Sequence, residues 1–168
     1  MKRRFLQVLL VLVVLGLAAG VYLRLFTGGP VSYIGGGWLR GELVSEPVEG
    51  WSFIPKQQHY LEVESRARWL PYSARPWFMV HEEQLYLLLP NLFGDALAQR
   101  IEEDSSLRVR VEGRIYPRRA VRVEDAGNLA TLLTPFLRRQ MAIEIAGEVT
   151  RVASGLDADV WVYRLDDL

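Results

Sequence analysis

The chain begins with a long apolar run behind three cations. Lys2-Arg3-Arg4 precedes a stretch from Phe5 to Phe26 that is apolar apart from Gln7, Arg24 and a few Gly and Tyr. About 20 such residues are needed for an α-helix to cross the hydrocarbon core of a bilayer. The pattern predicts a single transmembrane helix within residues 1–27, which contacts the lipid bilayer from Phe5 to Phe26.

A cleavable signal peptide is the alternative interpretation of this run. Leu17-Ala18-Ala19 is a poor cleavage site and apolar residues continue beyond it, so a retained anchor is favoured. Positive residues beside a membrane segment stay in the cytoplasm. Lys2-Arg3-Arg4 therefore predicts a single-pass membrane protein with a cytoplasmic amino terminus. The carboxyl-terminal domain is expected to be extracytoplasmic, which means periplasmic in a Gram-negative cell.

A glycine-rich segment follows the apolar run. Thr27-Gly28-Gly29-Pro30 breaks the helix, and Gly35-Gly36-Gly37 adds a second flexible point. Residues 28–37 are therefore predicted to form a tether between the anchor and a domain over residues 38–168. A phosphate-cradling loop is the alternative, but the segment lacks the Lys-Ser/Thr pair and the following helix that such a loop needs.

Short apolar or alternating runs dominate the chain from Trp38 onward. In the clearest of them, apolar and polar residues alternate from Leu107 to Val111, and Glu112-Gly113 then provides a tight turn. The pattern predicts strands over residues 38–44, 59–64, 77–81, 84–89, 107–111, 114–124 and 160–165. The side chains expected to face the core are Leu85, Leu87, Leu107, Val109, Val111, Val121 and Val123. The outer face of the hairpin is expected to carry Arg108, Arg110, Arg118 and Arg122.

Two helices are predicted between the strands. Residues 95–103 and residues 128–139 each place apolar side chains at helical spacing, and Pro135 is expected to kink the second helix. Six or seven strands with two inserted helices predict a mainly β fold, a small closed or half-closed β-barrel.

Composition and charge narrow the range of functions. Four of the 20 cations lie within the first 27 residues, which leaves 16 cations against 20 anions for the rest of the 168-residue chain. A net negative domain argues against nucleic acid as a partner. The absence of cysteine excludes disulfides and thiolate chemistry. His59 and His81 lack the spacing of a zinc site, so no metal is expected.

A basic cluster lies among aromatic residues in the first half of the domain. Arg66, Arg68 and Arg75 are interleaved with Trp69 and other aromatic residues. Guanidinium groups match phosphate and carboxylate groups, so the cluster predicts a site for an anionic small-molecule ligand. A solvated loop whose arginines pair with nearby glutamates is the alternative, and the sequence leaves both open.

The order of elements in the middle of the domain is specific enough to suggest a family. A hairpin ending in Leu85-Tyr86-Leu87 is followed by a short helix and then by the run DSSLRVRVEGRIY at residues 104–116. This order resembles the pyridoxamine-phosphate-oxidase-like, FMN-binding split-barrel superfamily, in which a similar run follows such a helix. The resemblance covers residues 38–166 and implies a split β-barrel.

The resemblance also implies a binding site and an assembly. Proteins of this superfamily usually form homodimers with the flavin between the subunits, its phosphate held by Arg or Lys and by hydroxyl groups. By position, the resemblance implies that Arg75 contacts the phosphate with Ser73 and Tyr72 beside it. Trp77 is expected to border the flavin ring, and Arg100 is a further candidate cation.

Two functions of different classes follow from these observations. The resemblance implies a membrane-anchored split barrel that binds FMN or a related flavin and acts as a flavin-dependent oxidoreductase. The alternative is a cofactor-free dimerisation or ligand-binding module tethered to the membrane. Asp95 and Ala96 favour the alternative, because many members of the superfamily have Lys or Arg at this point.

The predicted topology is directly testable. A reporter that is active only outside the cytoplasm, fused after Leu168, is expected to be active. Replacing Lys2-Arg3-Arg4 with neutral residues is expected to lower that activity, because these cations hold the amino terminus inside. Activity of a cytoplasm-only reporter at the same position would contradict the assignment.

Overall fold

The computed structural model describes residues 2–26, 28–30, 35–90, 96–125, 132–134 and 160–168. Its named helices are α1 (Lys2–Phe26) and α2 (Ala96–Glu103), and residues 132–134 are helical as well. The strands of the same ranges are β1 (Glu42–Leu43), β2 (Glu62–Ser65), β3 (Tyr72–Ala74), β4 (Trp77–His81), β5 (Gln84–Pro90), β6 (Ser106–Val111), β7 (Arg114–Arg122) and β8 (Val160–Asp167).

The strands form one curled, largely antiparallel sheet. Their order is β3-β2-β6-β7-β8-β5-β4, and the short β1 pairs with β7 in parallel. The sheet curls far enough that its two sides meet, because Tyr60 forms a bridge with Trp77 and the Leu61 N–H donates to the Pro76 carbonyl at 3.0 Å. This curled half-barrel confirms the predicted mainly β, split-barrel architecture.

Two tight hairpins set the register of the sheet. Glu82 and Glu83 connect β4 to β5, and Glu112 and Gly113 connect β6 to β7, all four with positive φ. Two consecutive residues with positive φ form the type I′ turn, whose twist matches that of the strands. Because each loop has only two residues, the pairing of Val111 with Arg114 leaves no freedom in the register of β7.

The core lies inside the curl and consists mostly of aliphatic side chains, with a few aromatic ones. The predicted inward positions on β5 and β6 are confirmed, since their side chains are almost completely buried. These residues are Leu85, Leu87, Leu107, Val109 and Val111. Leu97 and Ile101 on α2 pack against the same cluster, which explains the helical spacing of apolar residues in that segment.

The predicted faces of β7 are wrong. Directly opposed residues share a face of a sheet, and Val109 pairs with Tyr116 and Leu107 with Arg118. The even-numbered residues of β7 therefore point inward, and Arg118 is buried although an outer position was predicted for it. Val121 is 37% exposed instead of buried, and Val123 packs against the outer side of the sheet. A strand with apolar residues at both parities carries no pattern that identifies its inner face.

A second cluster covers the outer face of β4, β5 and β8. Met79, Leu88 and Val162 lie there, buried beneath Leu132 and Leu133. Residues 132–134 are helical, in agreement with the predicted second helix. The rest of that predicted helix, with Pro135, lies outside the described residues.

Other predicted boundaries differ by a few residues. The strand predicted over residues 38–44 is reduced to β1 (Glu42–Leu43), and the one predicted over 59–64 begins later, as β2 (Glu62–Ser65). The predicted helix over 95–103 is confirmed as α2, with Asp95 outside the described ranges. Residues 38–41 resemble a strand in sequence but do not form the hydrogen bonds of one. Contacts with the sheet hold them instead.

The described part of the predicted tether is packed against the sheet. We call residues 28–30 and 35–41 the strap. Gly36 exchanges two backbone hydrogen bonds with Ser73, at 2.8 and 3.0 Å. A Cβ at Gly36 would lie only 2.2 Å from the Gly29 carbonyl oxygen, so the two arms of the strap touch where only glycine fits. These glycines permit close packing of the strap on the domain.

The amino-terminal run is helical as predicted. Helix α1 covers Lys2–Phe26, and its described apolar side chains, such as Leu10, Leu12 and Val14, are exposed. Among the residues that the structure describes, no helix combines the length and the hydropathy required to cross a membrane. The transmembrane role of this helix stays a prediction.

The core assignment predicts a contrast between two valines. Val109→Ala is expected to lower the free energy of unfolding by about 1–3 kcal/mol, because it leaves a cavity in a closely packed core. Val121→Ala removes the same atoms from an exposed position and is expected to cost less than about 0.5 kcal/mol. Urea unfolding of both variants checks this, and equal costs would contradict the observed register.

Candidate functional site

Two glutamates on β2 organise the charges beneath the strap. Val63 points into the core, so its neighbours Glu62 and Glu64 point to the outer face of the sheet. Glu64 is fully buried there. Its carboxylate accepts hydrogen bonds from the Leu39 backbone N–H of the strap, from Arg66 Nε at 2.6 Å and from Arg108 Nη1 at 3.2 Å. A buried carboxylate is tolerated only with such a set of donors.

Glu62 performs the same role at the next outward position. It accepts from Arg75 Nη2 at 2.7 Å and from Arg110 Nε at 2.5 Å. Arg110 continues from there to the strap, donating to the Gly28 carbonyl at 2.7 Å and to the Arg40 carbonyl at 3.0 Å. We call Glu62, Glu64, Arg66, Arg75, Arg108 and Arg110 the β2 charge network.

The two candidates nearest to the predicted phosphate position are engaged by the protein itself. Arg75 lies between β3 and β4, and both its Nε and its Nη2 donate to Glu62. Ser73 lies in β3, fully buried, with its backbone paired to Gly36 of the strap. Among the described residues, the Ser73 hydroxyl has no hydrogen-bond partner, but its burial keeps it from contact with a ligand outside.

The remaining predicted residues lie in two different places. Arg100 on α2 stacks over the Tyr72 ring, with its guanidinium carbon 5.3 Å from the ring centre, and donates to the Leu70 carbonyl at 2.9 Å. Trp77 packs instead against the outer cluster around Met79. The structure thus brings Tyr72 and Arg100 together and places Trp77 elsewhere.

The arginines of the basic cluster pair with glutamates, as the second interpretation of that cluster expects. Arg66 pairs with Glu64, Arg75 pairs with Glu62, and Arg68 donates from its Nε to Glu103 at 2.8 Å. The hydrogen bond from Arg68 holds the pKa of the Glu103 carboxyl below its ordinary value.

The two histidines take no part in a metal cluster within the described ranges. His81 Nε2 lies 3.9 Å from Glu82, and no group of three or more His, Cys, Asp or Glu side chains in those ranges is placed to hold a metal ion.

A pocket that the sequence does not predict lies between the β4–β5 hairpin and the end of β8. Its volume is about 340 Å³, and Arg118 of β7 forms part of its wall. Five carboxyl side chains line it as well, against this single cation. They belong to Glu49, Glu82, Glu83, Asp166 and Asp167.

Arg118 is held in an aromatic and largely water-free setting. Its guanidinium lies 4.9 Å from the Trp51 ring centre and 5.9 Å from that of Tyr116, and its Nη1 contacts Asp167 at 2.7 Å. Burial lowers the pKa of the Arg118 guanidinium, and the Asp167 carboxylate acts in the opposite direction. Its Nη2 is buried without an acceptor in the described part of the chain.

Comparison with known proteins finds similar folds among solved structures. No protein family and no curated sequence matches the chain. Solved structures do. A conserved hypothetical protein from Mycobacterium tuberculosis has a TM-score of 0.50 at 10% identity, over 70% of this chain and 84% of that protein. The heme storage protein HutZ from Vibrio cholerae has a TM-score of 0.48 at 14% identity, over 67% of this chain and 84% of its own. A protein from Listeria innocua assigned by name to the pyridoxamine 5′-phosphate oxidases has a TM-score of 0.46 at 11% identity, over 66% and 84%.

The curled half-barrel sheet agrees with the split-barrel fold that the resemblance implies. At identities of 10–14% the likeness concerns the fold alone. The chemistry of this split barrel has to be argued from its own side chains.

The Arg118 pocket is the part of this split barrel that sequence reasoning missed. The signal that could have found it is the two-residue turn at Glu112-Gly113, because counting outward from that turn places Arg118 opposite Leu107 and so inside the barrel. Its excess of carboxylates makes the pocket more suited to a cation or a zwitterion than to a phosphate.

Burial of Arg118 predicts a contrast with its neighbour. Arg118→Ala is expected to lower the free energy of unfolding by about 1–3 kcal/mol, because it removes a charge-assisted hydrogen bond and contacts with two aromatic rings. Arg119→Ala, in an exposed position of the same strand, is expected to change it by less than about 0.5 kcal/mol. Chemical denaturation measures both, and a larger effect at Arg119 would mean that β7 presents its other face.

Proposed function

We propose that this chain is a membrane-tethered split-barrel binding module that does not hold FMN at the predicted phosphate position. The observation that carries the proposal is the double hydrogen bond from Arg75 to Glu62. The cation expected to hold a phosphate is already neutralised by a carboxylate of the same chain. The neighbouring Arg110 leads to the same result, because it shares the Glu62 carboxylate and also donates to the strap.

The other members of the predicted site do not compensate for this. Ser73 is buried beside the strap, and Arg100 is committed to the Leu70 carbonyl and the Tyr72 ring. A phosphate bound by both Nε and Nη2 of Arg75 would have to displace Glu62, and that carboxylate would lose the two hydrogen bonds that Arg75 donates. The residues present therefore do not fit a flavin phosphate, and we derive no redox step from them.

The membrane tether is supported by the surface of α1. The helix presents apolar side chains on every side, among them Val8, Leu10, Leu12 and Leu15, all exposed. A helix that is apolar all round is matched to a lipid environment and not to water. Its described side chains are continuous over residues 7–22, and the flanking sequence extends the apolar character to Phe5 and Phe26. In this proposal the domain lies outside the cytoplasm.

Self-association is part of the same proposal. The split-barrel fold is expected to form a homodimer, and multi-angle light scattering of the detergent-solubilised chain measures the subunit number. The ligand of the module is proposed to be a small polar molecule, since the pocket at Arg118 is lined largely by charged side chains.

Flavin titration tests the proposal. The purified full-length chain in detergent is expected to show no flavin absorption and no saturable FMN binding. Glu62→Gln is expected to create measurable FMN affinity, because it releases Arg75 from its carboxylate partner, and Ala96→Lys is expected to add to it. One charge-assisted contact contributes about 1.5–3 kcal/mol, which corresponds to about one to two decades in Kd.

Glu42→Gln provides the control. It releases Arg114 from an exposed ion pair beside the β6–β7 turn, away from every residue of the predicted site, and is expected to leave FMN affinity unchanged. Saturable FMN binding by the wild-type chain that is lost in Arg75→Ala would refute the proposal and restore the flavin-binding function.

A further inference from the structure

We propose that the outer side of the strap, formed by Trp38 and Arg40 and extended by Leu43 of β1, rests on the headgroup layer of the membrane. The inference rests on the proposed insertion of α1 in a bilayer. It adds that one defined face of the split barrel is held against that bilayer. The glycine-rich sequence alone had predicted a flexible tether.

The first step is the position of Gly28. Its carbonyl oxygen accepts from Arg110 Nη1 at 2.7 Å, and a Cβ on Gly28 would lie 3.3 Å from the Arg40 Cδ. Gly29 is packed in the same way, because an added Cβ there would lie 3.4 Å from the Leu39 side chain. The strap is thus joined to the domain from Gly28 onward.

The second step is the length of chain left over. Helix α1 ends at Phe26, and consecutive Cα atoms are about 3.8 Å apart, so Gly28 lies within about 8 Å of the helix end whatever the conformation between them. If the end of α1 lies at the membrane interface, the surface around Gly28 lies there too. No free linker remains to separate them.

The third step is the chemistry of that surface. Leu39 is buried, and its neighbours Trp38 and Arg40 point the other way and are exposed. Leu43 follows, 56% exposed. Tryptophan is enriched at the interface between lipid and water, because it combines an apolar ring with a polar N–H. Arginine pairs with lipid phosphate groups, which makes a headgroup layer the partner that fits both side chains.

Site-specific labelling tests the inference in the full-length chain. Because the protein has no cysteine, a single introduced cysteine takes one fluorophore. Trp38→Cys and Arg164→Cys are compared in vesicles of phosphatidylcholine and phosphatidylglycerol that contain a nitroxide-headgroup lipid. The two native side chains are similarly exposed, at 45% and 46%, but Arg164 lies on β8, separated from β6 by β7. Quenching at position 38 is expected to exceed quenching at position 164 by about twofold or more, because only the strap meets the interface.

The connection itself supplies a second variant. Ten Gly and Ser residues inserted between Thr27 and Gly28 would span about 17 Å on average and leave the strap contacts in place. Quenching at position 38 is expected to fall toward the level at position 164.

Vesicle flotation separates the two ways in which these expectations can fail. A wild-type chain that does not float with the vesicles refutes the anchor, and with it the present inference. A chain that floats but is quenched equally at positions 38 and 164 leaves the anchor standing and overturns the inference about the strap. Unchanged quenching after the insertion overturns the claim that the short connection holds the strap at the interface.

Discussion

The buried carboxylate of Glu64 is the constraint on which the surrounding structure depends. A charge without access to water is stable only where hydrogen-bond donors surround it. Two of the three donors to Glu64 are arginines, Arg66 directly after β2 and Arg108 on β6. The third is the Leu39 backbone N–H, which belongs to the strap. Removing the strap would leave this carboxylate short of a donor, so the glycine-rich segment has to pack on the domain.

The same constraint decides what the arginines of this region do. Eighteen of the twenty cations of the chain are arginines, and those of the β2 charge network already face Glu62 and Glu64. Arg75 is the residue predicted to hold a phosphate, and its carboxylate partner comes from the adjacent strand. A cation predicted from a resemblance can serve a ligand only if the neighbouring charges leave it available.

The sequence predicts this fold where its pattern has one meaning. Strand β6 alternates strictly, so its buried and outer residues could be assigned before the structure, and the apolar spacing of α2 was equally clear. Strand β7 has apolar residues at both parities, and its inner face is set by pairing across the turn with β6, which no local pattern contains. The packing of the strap could not be predicted for a related reason, because glycine is equally suited to flexible linkers and to close contacts. Contacts with Tyr72 and Ser73, which lie far away in sequence, decide between a flexible linker and a packed segment.

Arg75 and Arg118 illustrate how a binding site predicted from sequence can differ from a pocket found in the structure. Arg75 is the more accessible of the two, yet its Nε and Nη2 both donate to Glu62. Arg118 is buried and keeps one guanidinium nitrogen without an acceptor among the described residues. A prediction from sequence favours residues in exposed loops as binding residues, because ligands usually bind there. Unsatisfied hydrogen-bonding capacity is the stronger physical criterion, since a buried donor without a partner costs free energy that an acceptor would recover. By that criterion the pocket beside Arg118, in the middle of β7, is a stronger candidate for ligand binding than the corner between β3 and β4.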